Sequence, residues 1–475
     1  MLEWDAVMSP EKWAQATFGE VCLGDARRTE RAVKLGVAMA REPNVSFPKQ
    51  LGEPKEVKAT YRFLQSAHVS YEGLIAQHVR QTRAQCEEHA VVLLVQDTTE
   101  LDYQAHPQTS GLGPIGNGRH QGFLLQTVLG VEPNSGEVLG IAQQEPFVRQ
   151  PAPKGERYSE RLKRERESQV WERAVQAIGA PPPGVTWVHV GDRYSDIYPL
   201  FLTCREQQTH FVIRAAQDRC VDERVEEAPP ALKRRRRKTG EPPQAHLFET
   251  VRGWAASDEQ DLAVPAEHER PARTARVALS SSPVRLLAPD KRENVLPSLD
   301  VWVVRVWEVN APEGVEPLEW VLLTSLPIEN VAQAWERVGW YRRRWIVEDY
   351  HQALKTGCRM EERQVQSYEG LRRLLGIVAP NAVRVLLLRT LARQEPERPA
   401  QEVLPRAVVH LVALKTGGEA SSMTVEQCVK RIARLGGYQG RRSDGPPGWK
   451  TLWHGWLKIQ TLLEGVHLAP QVLLE

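Results

Sequence analysis

The sequence is poor in what secreted and membrane-embedded chains need. Its six cysteines (Cys22, Cys86, Cys204, Cys220, Cys358 and Cys428) are scattered and form no CxxC pair. This argues against a zinc site or a disulfide framework and fits a reducing compartment. No apolar run approaches the ~20 residues of a membrane span, and the opening MLEWDAVMSPEKW lacks the apolar core of a signal peptide. A cytoplasmic location without a membrane partner is therefore expected. Internal repeats are absent. Net charge is nearly absent too, at +2.

What is present is charge in blocks. Basic clusters recur at 24–34, 156–169, 233–238 (KRRRRK), 337–345 and 430–442, with acidic residues elsewhere balancing the total. Several separated basic surfaces suit a polyanion that touches more than one domain. The composition, 41% hydrophobic and 26% charged, is that of a globular protein, and 475 residues suggest two to four domains.

Periodicity divides the chain. Residues 1–70 read as helices, and a linking helix is expected over 72–88. AVVLLVQDTTEL (90–101) is a short apolar run of the kind found in buried strands. Residues 122–147 read as two strands joined at Pro133-Asn134-Ser135-Gly136. A charged helix is expected over 156–179, then strand VTWVHVG, a helix, and strand HFVIRA (210–215). Residues 217–318 read as an inserted, mainly β subdomain. EWVLLTSLPI (319–328) is again a strand, 329–357 reads as one long helix, and amphipathic helices follow from 371. The pattern predicts an α/β core with helical N- and C-terminal domains, divided as 1–70, 71–370 and 371–475.

Three carboxylates stand out. Asp97 and Asp192 each follow an apolar strand, and in open α/β sheets the carboxyl ends of strands are where sites form. Either aspartate alone is as readily a strand-end or helix-cap residue. Glu348 lies in YRRRWIVEDYHQALKTG (341–357). At about 100° per helical residue, Tyr341, Arg344 and Lys355 fall within about 40° of Glu348. Taken alone this stripe reads as a surface salt bridge worth a few tenths of a kcal/mol. Two strand-end aspartates and a helical glutamate, taken together, suit hard divalent cations and in-line displacement at phosphorus.

With these residues on the page, the chain resembles the cut-and-paste transposases of bacterial insertion sequences (the IS-four-like, Asp-Asp-Glu family). The resemblance rests on QDTTELDY (96–103), VGDRYSDIY (190–198), EWVLLTSLPIENVAQA (319–334), WYRRRWIVEDYHQALKTG (340–357) and RIARLGGYQG (431–440), with LGDARRTERAVKLG (23–36) and TYRFLQ (60–65). It implies a ribonuclease-H-like core, a mixed sheet flanked by helices. Asp97, Asp192 and Glu348 would hold two Mg²⁺ ions, with Mn²⁺ as a substitute. Tyr341, Arg344 and Lys355 would grip phosphates, and Trp320 would stack on a flipped base. Arg193 and Arg214 would face DNA from the core, and Arg27, Arg28 and Arg62 from the N-terminal domain. The implied partners are double-stranded DNA, as transposon ends and target, and a second copy of the chain in a synaptic homodimer. The implied reaction is nicking, hairpin formation and opening, and joining of 3′-hydroxyl ends to a target. The sequence departs from the family at DRYSD, where relatives often carry DREAD, at Gln352, where a basic residue is usual, and at Asp349 in place of Glu. Asp196 is expected to be a helix residue and not a ligand. Two alternatives remain: a nuclease of the same fold without strand transfer, and a transposase-derived DNA-binding protein.

Overall fold

The computed structural model describes residues 9–150, 153, 155, 157, 166–222, 245–264, 273–289, 296–441 and 447–472. Two basic features of the sequence, KRRRRK at 233–238 and most of 156–165, lie outside them. The protein forms two compact units. One comprises Met1–Glu88, Thr98–Arg161 and Ile346–Glu475; the other comprises His89–Asp97 and Leu162–Trp345.

Five helices open the first unit: α1 (Pro10–Phe18), α2 (Ala26–Arg41), α3 (Phe47–Leu51), α4 (Pro54–Gln65) and α5 (Tyr71–Glu87). Ser9, Asp25 and Ser70 start α1, α2 and α5 by accepting from Lys12, Arg27 and Gly73 N–H groups. Each satisfies a donor that the first helical turn leaves without a partner. Strand β1 (Val91–Asp102) begins in the second unit and ends in the first. In the first unit, β2 (Gly113–Ile115), β3 (His120–Val131) and β4 (Val138–Phe147) pair antiparallel in that order, and β3 also borders β1.

The second unit continues with α6 (Gln169–Ile178), β5 (Thr186–Gly191), α7 (Tyr198–Glu206) and β6 (His210–Arg214). β1 pairs parallel with β5, and β5 parallel with β6. β5 is buried from Trp187 onward, as a central parallel strand covered on both faces must be. This mixed α/β arrangement is the ribonuclease-H-like core that the sequence led us to expect. The helix expected over 156–179 is described only as α6. The insertion supplies β7 (Cys220–Asp222), β8 (Ala245–His246), α8 (Leu247–Arg252), β9 (Asp258–Val264), β10 (Arg273–Leu286) and β11 (Leu299–Glu308). It extends the core sheet: β11 pairs with β12 (Glu319–Thr324), and β12 with β6.

The single helix expected over 329–357 is divided. α9 (Val331–Arg342) ends where Arg343 and Arg344 N–H groups bond back only three residues, to Trp340 and Tyr341 carbonyls. α10 (Trp345–Gln352) follows and passes into a π turn, Ala353–Gly357, in which Cys358 N–H reaches Ala353 O. A π turn winds each residue through less than 100°, so Lys355 is displaced from the stripe that an ideal helix gives.

The remaining helices, α11 (Tyr368–Gln394), α12 (Ala400–Val403), α13 (Arg406–Thr416), α14 (Val425–Leu435) and α15 (Trp449–Val472), belong to the first unit. Residues of all five share one apolar cluster that includes Leu387, Val403, Val409, Ile432 and Ile459. α14 and α15 approach closely enough that a Cβ at Gly455 would lie 1.7 Å from the Ile432 carbonyl oxygen. Gly455→Ala is therefore expected to force the helices apart and cost about 1–3 kcal/mol. Thermal unfolding checks this, and an unchanged melting temperature would show that the crossing tolerates a side chain.

Candidate catalytic site

In the second unit, Val95 of β1 stands opposite Val190 of β5 in parallel register. Asp97 and Asp192 each lie two residues further on, Asp97 still within β1 and Asp192 just past the end of β5, so both sit at the same end of neighbouring strands, which run ~4.8 Å apart. Asp97 is largely buried, with 16% of its side chain exposed. Asp192 leaves β5 and caps the 3₁₀ turn Arg193–Ser195, its Oδ1 accepting from Tyr194 N–H at 2.8 Å. The capping alternative that the sequence left open is thus real, and it commits one carboxylate oxygen. Gly191 permits the turn to fold back, because a Cβ there would meet Ser195 Oγ at 2.2 Å.

The second acidic residue of DRYSD is an anchor. Asp196 Oδ2 accepts from Ala216 and Gln217 N–H, both at 2.7 Å, while Oδ1 accepts from Arg219 Nε at 3.2 Å and Nη2 at 2.5 Å. Arg219 in turn lies over the Tyr198 and Phe201 rings, 5.6 Å from each centroid. The turn after Asp192 is therefore fastened to the segment after β6. Sequence reading kept Asp196 out of the ligand set but missed this partner, since Arg219 is 23 residues away with no motif around it.

Cations surround the aspartates. Arg344 Nη1 lies 3.5 Å from Asp97 Oδ2, and its guanidinium stacks 4.4 Å from the Trp345 ring centroid. Arg214 donates from Nη2 to Glu319 O at 2.9 Å and is hydrogen-bonded to Tyr341. Burial lowers the pKa of Arg214, and the like charges of Arg193 and Arg344 lower it further. Arg193 and Arg344 thus both act on Arg214 close to Asp97, an arrangement that a polyanion would relieve. Burial raises the Tyr341 pKa, so its phenol stays neutral; with its oxygen engaged by Arg214, its O–H is left to donate. Trp320, half-buried, sets its ring edge-on against Tyr341 at a centroid distance of 5.2 Å.

A salt-bridge network fixes the start of β12. Glu319 pairs with Arg252 at 2.6 Å and Arg305 at 3.0 Å. The Arg252 hydrogen bond, against some burial, holds its carboxyl below the ordinary value of 4.5. A lowered carboxyl pKa adds stability above the unfolded-state value, lost as pH falls through the folded-state value. The stability difference between the wild type and Glu319→Gln is therefore expected to be full above about pH 4.5 and to shrink below it. Denaturant unfolding at stepped pH checks this, and a pH-independent difference would refute it.

The other expected residues lie in the first unit. Glu348 is half-buried in the first turn of α10. Lys355, in the π turn, has its ammonium 3.9 Å from Glu361 Oε1, and its charge also reaches Asp102. Asp102 binds His120 Nδ1 at 2.6 Å, and its N–H donates to Glu361 Oε1 at 2.9 Å. Neither acid was singled out in the sequence. Arg27 is exposed and bound back to Asp25, Arg28 Nη1 donates to Leu23 O at 2.7 Å, and Arg62 is exposed beside Lys58 and Tyr61 along an open groove. Among the described residues, no three His, Cys, Asp or Glu side chains are gathered closely enough to hold a metal ion. The Asp97–Asp192 pair nonetheless offers hard oxygen donors at one sheet end, which fits a hard divalent cation.

Comparison with known proteins is consistent along the chain. A family model described as transposase DNA-binding matches residues 10–69, one described as transposase DDE domain matches 169–381, and one described as transposase Tn5 dimerisation domain matches 382–472. Among solved structures, the chain aligns with the cryo-EM structure of piggyBac transposase synaptic complex with hairpin DNA. The alignment has a TM-score of 0.35 and 10% identity, and covers 92% of this chain and 80% of that chain. No helix among the described residues is long and apolar enough to cross a membrane.

Proposed function

Because the chain belongs to the Tn5-like DDE transposases of insertion sequences, we propose that it excises and reinserts a DNA element by cut-and-paste transposition. Its DDE domain implies a DNA-cleaving and DNA-joining enzyme that depends on a divalent metal. The observation that best supports the finer reading is the Asp97–Asp192 pair at one end of neighbouring parallel strands, with Arg344 beside Asp97 and the charges of Arg193 and Arg344 reaching Arg214.

Asp97 and Asp192 would hold the metal, and Glu348 would supply the third carboxylate. Two Mg²⁺ ions suit this set, and Mn²⁺ would substitute. When bound, a divalent cation would supply activation of a water or a 3′-hydroxyl and stabilisation of the leaving oxygen in displacement at phosphorus. The protein's own groups do the rest. Arg344, Arg214 and the Tyr341 O–H bind phosphate oxygens and fix the scissile strand. Lys355 grips a further phosphate, oriented by Glu361 and Asp102. Trp320 stacks on a base flipped from the transposon end, which offsets a few kcal/mol of unstacking and lets the strand bend into a hairpin. Arg27, Arg28 and Arg62 bind the terminal inverted repeat. The C-terminal helices join two copies in a synaptic dimer, each active site working on the end bound mainly by its partner. The protein acts in the bacterial cytoplasm, associated with the nucleoid when bound to DNA.

The test is to incubate purified protein with Mg²⁺ and a plasmid carrying the element's inverted ends. Excision with target joining is expected. Nicking without joining would indicate a nuclease, and binding without cleavage a DNA-binding regulator. Within that assay, Trp320→Ala is expected to slow hairpin formation by about 5- to 150-fold, the equivalent of one lost base stack, and nicking much less. Equal slowing of both steps would remove the stacking role.

A further inference from the structure

Two large aromatic side chains stand exposed, Tyr194 at 80% and Trp345 at 48%. Both adjoin the candidate site: Tyr194 is two residues past Asp192, and Trp345 stacks under the guanidinium that pairs with Asp97. Tyr194 is held out by a turn fixed at each end. Its N–H donates to Asp192 Oδ1, Ser195 Oγ donates to Asp192 O at 2.6 Å, and Asp196 is locked to Arg219 and two backbone N–H groups. A ring presented to solvent from this fixed turn, next to the exposed Arg193 and two residues past Asp192, is preorganised for a flat ligand whose backbone is anionic.

We propose that Tyr194 is a second stacking platform: its ring receives an unpaired nucleobase next to the phosphate held at Asp97 and Asp192, while Arg193 holds that nucleotide's backbone. This rests on the transposase reading and adds a base contact to the one assigned to Trp320. The family pattern DREAD has an acidic residue at this position, so the contact is particular to chains with DRYSD. Stacking on a π-face tolerates any base, so Tyr194 contributes affinity and positioning without sequence readout. The hydroxyl has no part, and phenylalanine should serve as well as tyrosine.

The test uses the full-length protein in Ca²⁺, which leaves the DNA uncut, and end duplexes with 2-aminopurine placed singly at each position within three nucleotides of the cleavage site. Anisotropy measures binding of the same duplexes. With wild type and Tyr194→Phe, fluorescence at one position is expected to be quenched. With Tyr194→Ala that quench is lost, while thermal unfolding is unchanged. In Mg²⁺, Tyr194→Ala should then slow cleavage by about 5- to 150-fold, with Tyr194→Phe near wild type. If the protein binds ends but no position distinguishes Tyr194→Ala from wild type, this inference falls and the transposase reading stands. A Tyr194→Ala variant that melts early, with no position regaining fluorescence, would likewise reduce Tyr194 to a structural residue. If the protein does not bind ends, both fall.

Discussion

Asp192→Asn is expected to lower DNA cleavage by more than about a hundredfold while leaving end binding and thermal stability nearly unchanged. Substituting groups that merely orient metal ligands already costs 10–100-fold, so losing a ligand's charge should cost more. Asparagine is the sharper choice because Asp192 has two tasks. Its Oδ1 caps the turn Arg193–Ser195 through Tyr194 N–H, and an amide oxygen accepts that bond equally well. Asp192→Ala removes both functions and is expected to lose about 1 kcal/mol of stability in addition. Cleavage, filter binding and melting, measured on both variants, separate the tasks. If Asp192→Asn cleaves normally, Asp192 is a cap and nothing more. Asp97→Ala and Glu348→Ala are expected to follow Asp192→Asn, with cleavage lost and end binding kept.

Asp196→Ala is expected to give the largest loss of stability, about 3–5 kcal/mol, because it leaves two backbone N–H groups without their acceptor and the Arg219 charge without its counter-ion, only the Asp196 carbonyl still accepting from Nη2 at 2.8 Å. The Asp196 carboxylate is fully buried and Arg219 is 11% exposed, so water replaces little of what is lost. For a domain of this size the melting temperature should fall by roughly 6–20 °C. Asp196→Asn, which keeps one acceptor oxygen, should lose less. A shift of only a degree or two for Asp196→Ala would show that the turn after Asp192 is held by something else.

Much of this site was legible because strand-end chemistry has a sequence signature. VVLLVQ before Asp97 and VTWVHVG before Asp192 are apolar runs that end in a carboxylate, and both became parallel neighbours in register. Local pattern failed where a distant partner decides. The helix expected over 329–357 lacks glycine and proline from Tyr341 until its last residue, yet it breaks at Arg343–Arg344, where Arg344 turns to meet Asp97 and Trp345. The insertion read as a mainly β subdomain, but its pairing partners are invisible in sequence; β11 and β12 join it to the core sheet. Asp196, Asp102 and Glu361 look like ordinary surface acids until Arg219, His120 and Lys355 are seen beside them. Tyr194 carries no signal of its own in the sequence, and only its exposure marks it out.

The central claim is that Asp97 and Asp192 share a divalent metal. Iron(II) takes oxygen-donor sites of this kind and, with ascorbate and peroxide, cuts the polypeptide near where it binds. Full-length protein on uncut end DNA, loaded with iron(II) and mapped by mass spectrometry, is expected to be cut near residues 97 and 192, with Mg²⁺ competing. Asp97→Ala and Asp192→Asn should each abolish the cuts. Cutting elsewhere, or cuts that persist in both variants, would contradict the assignment.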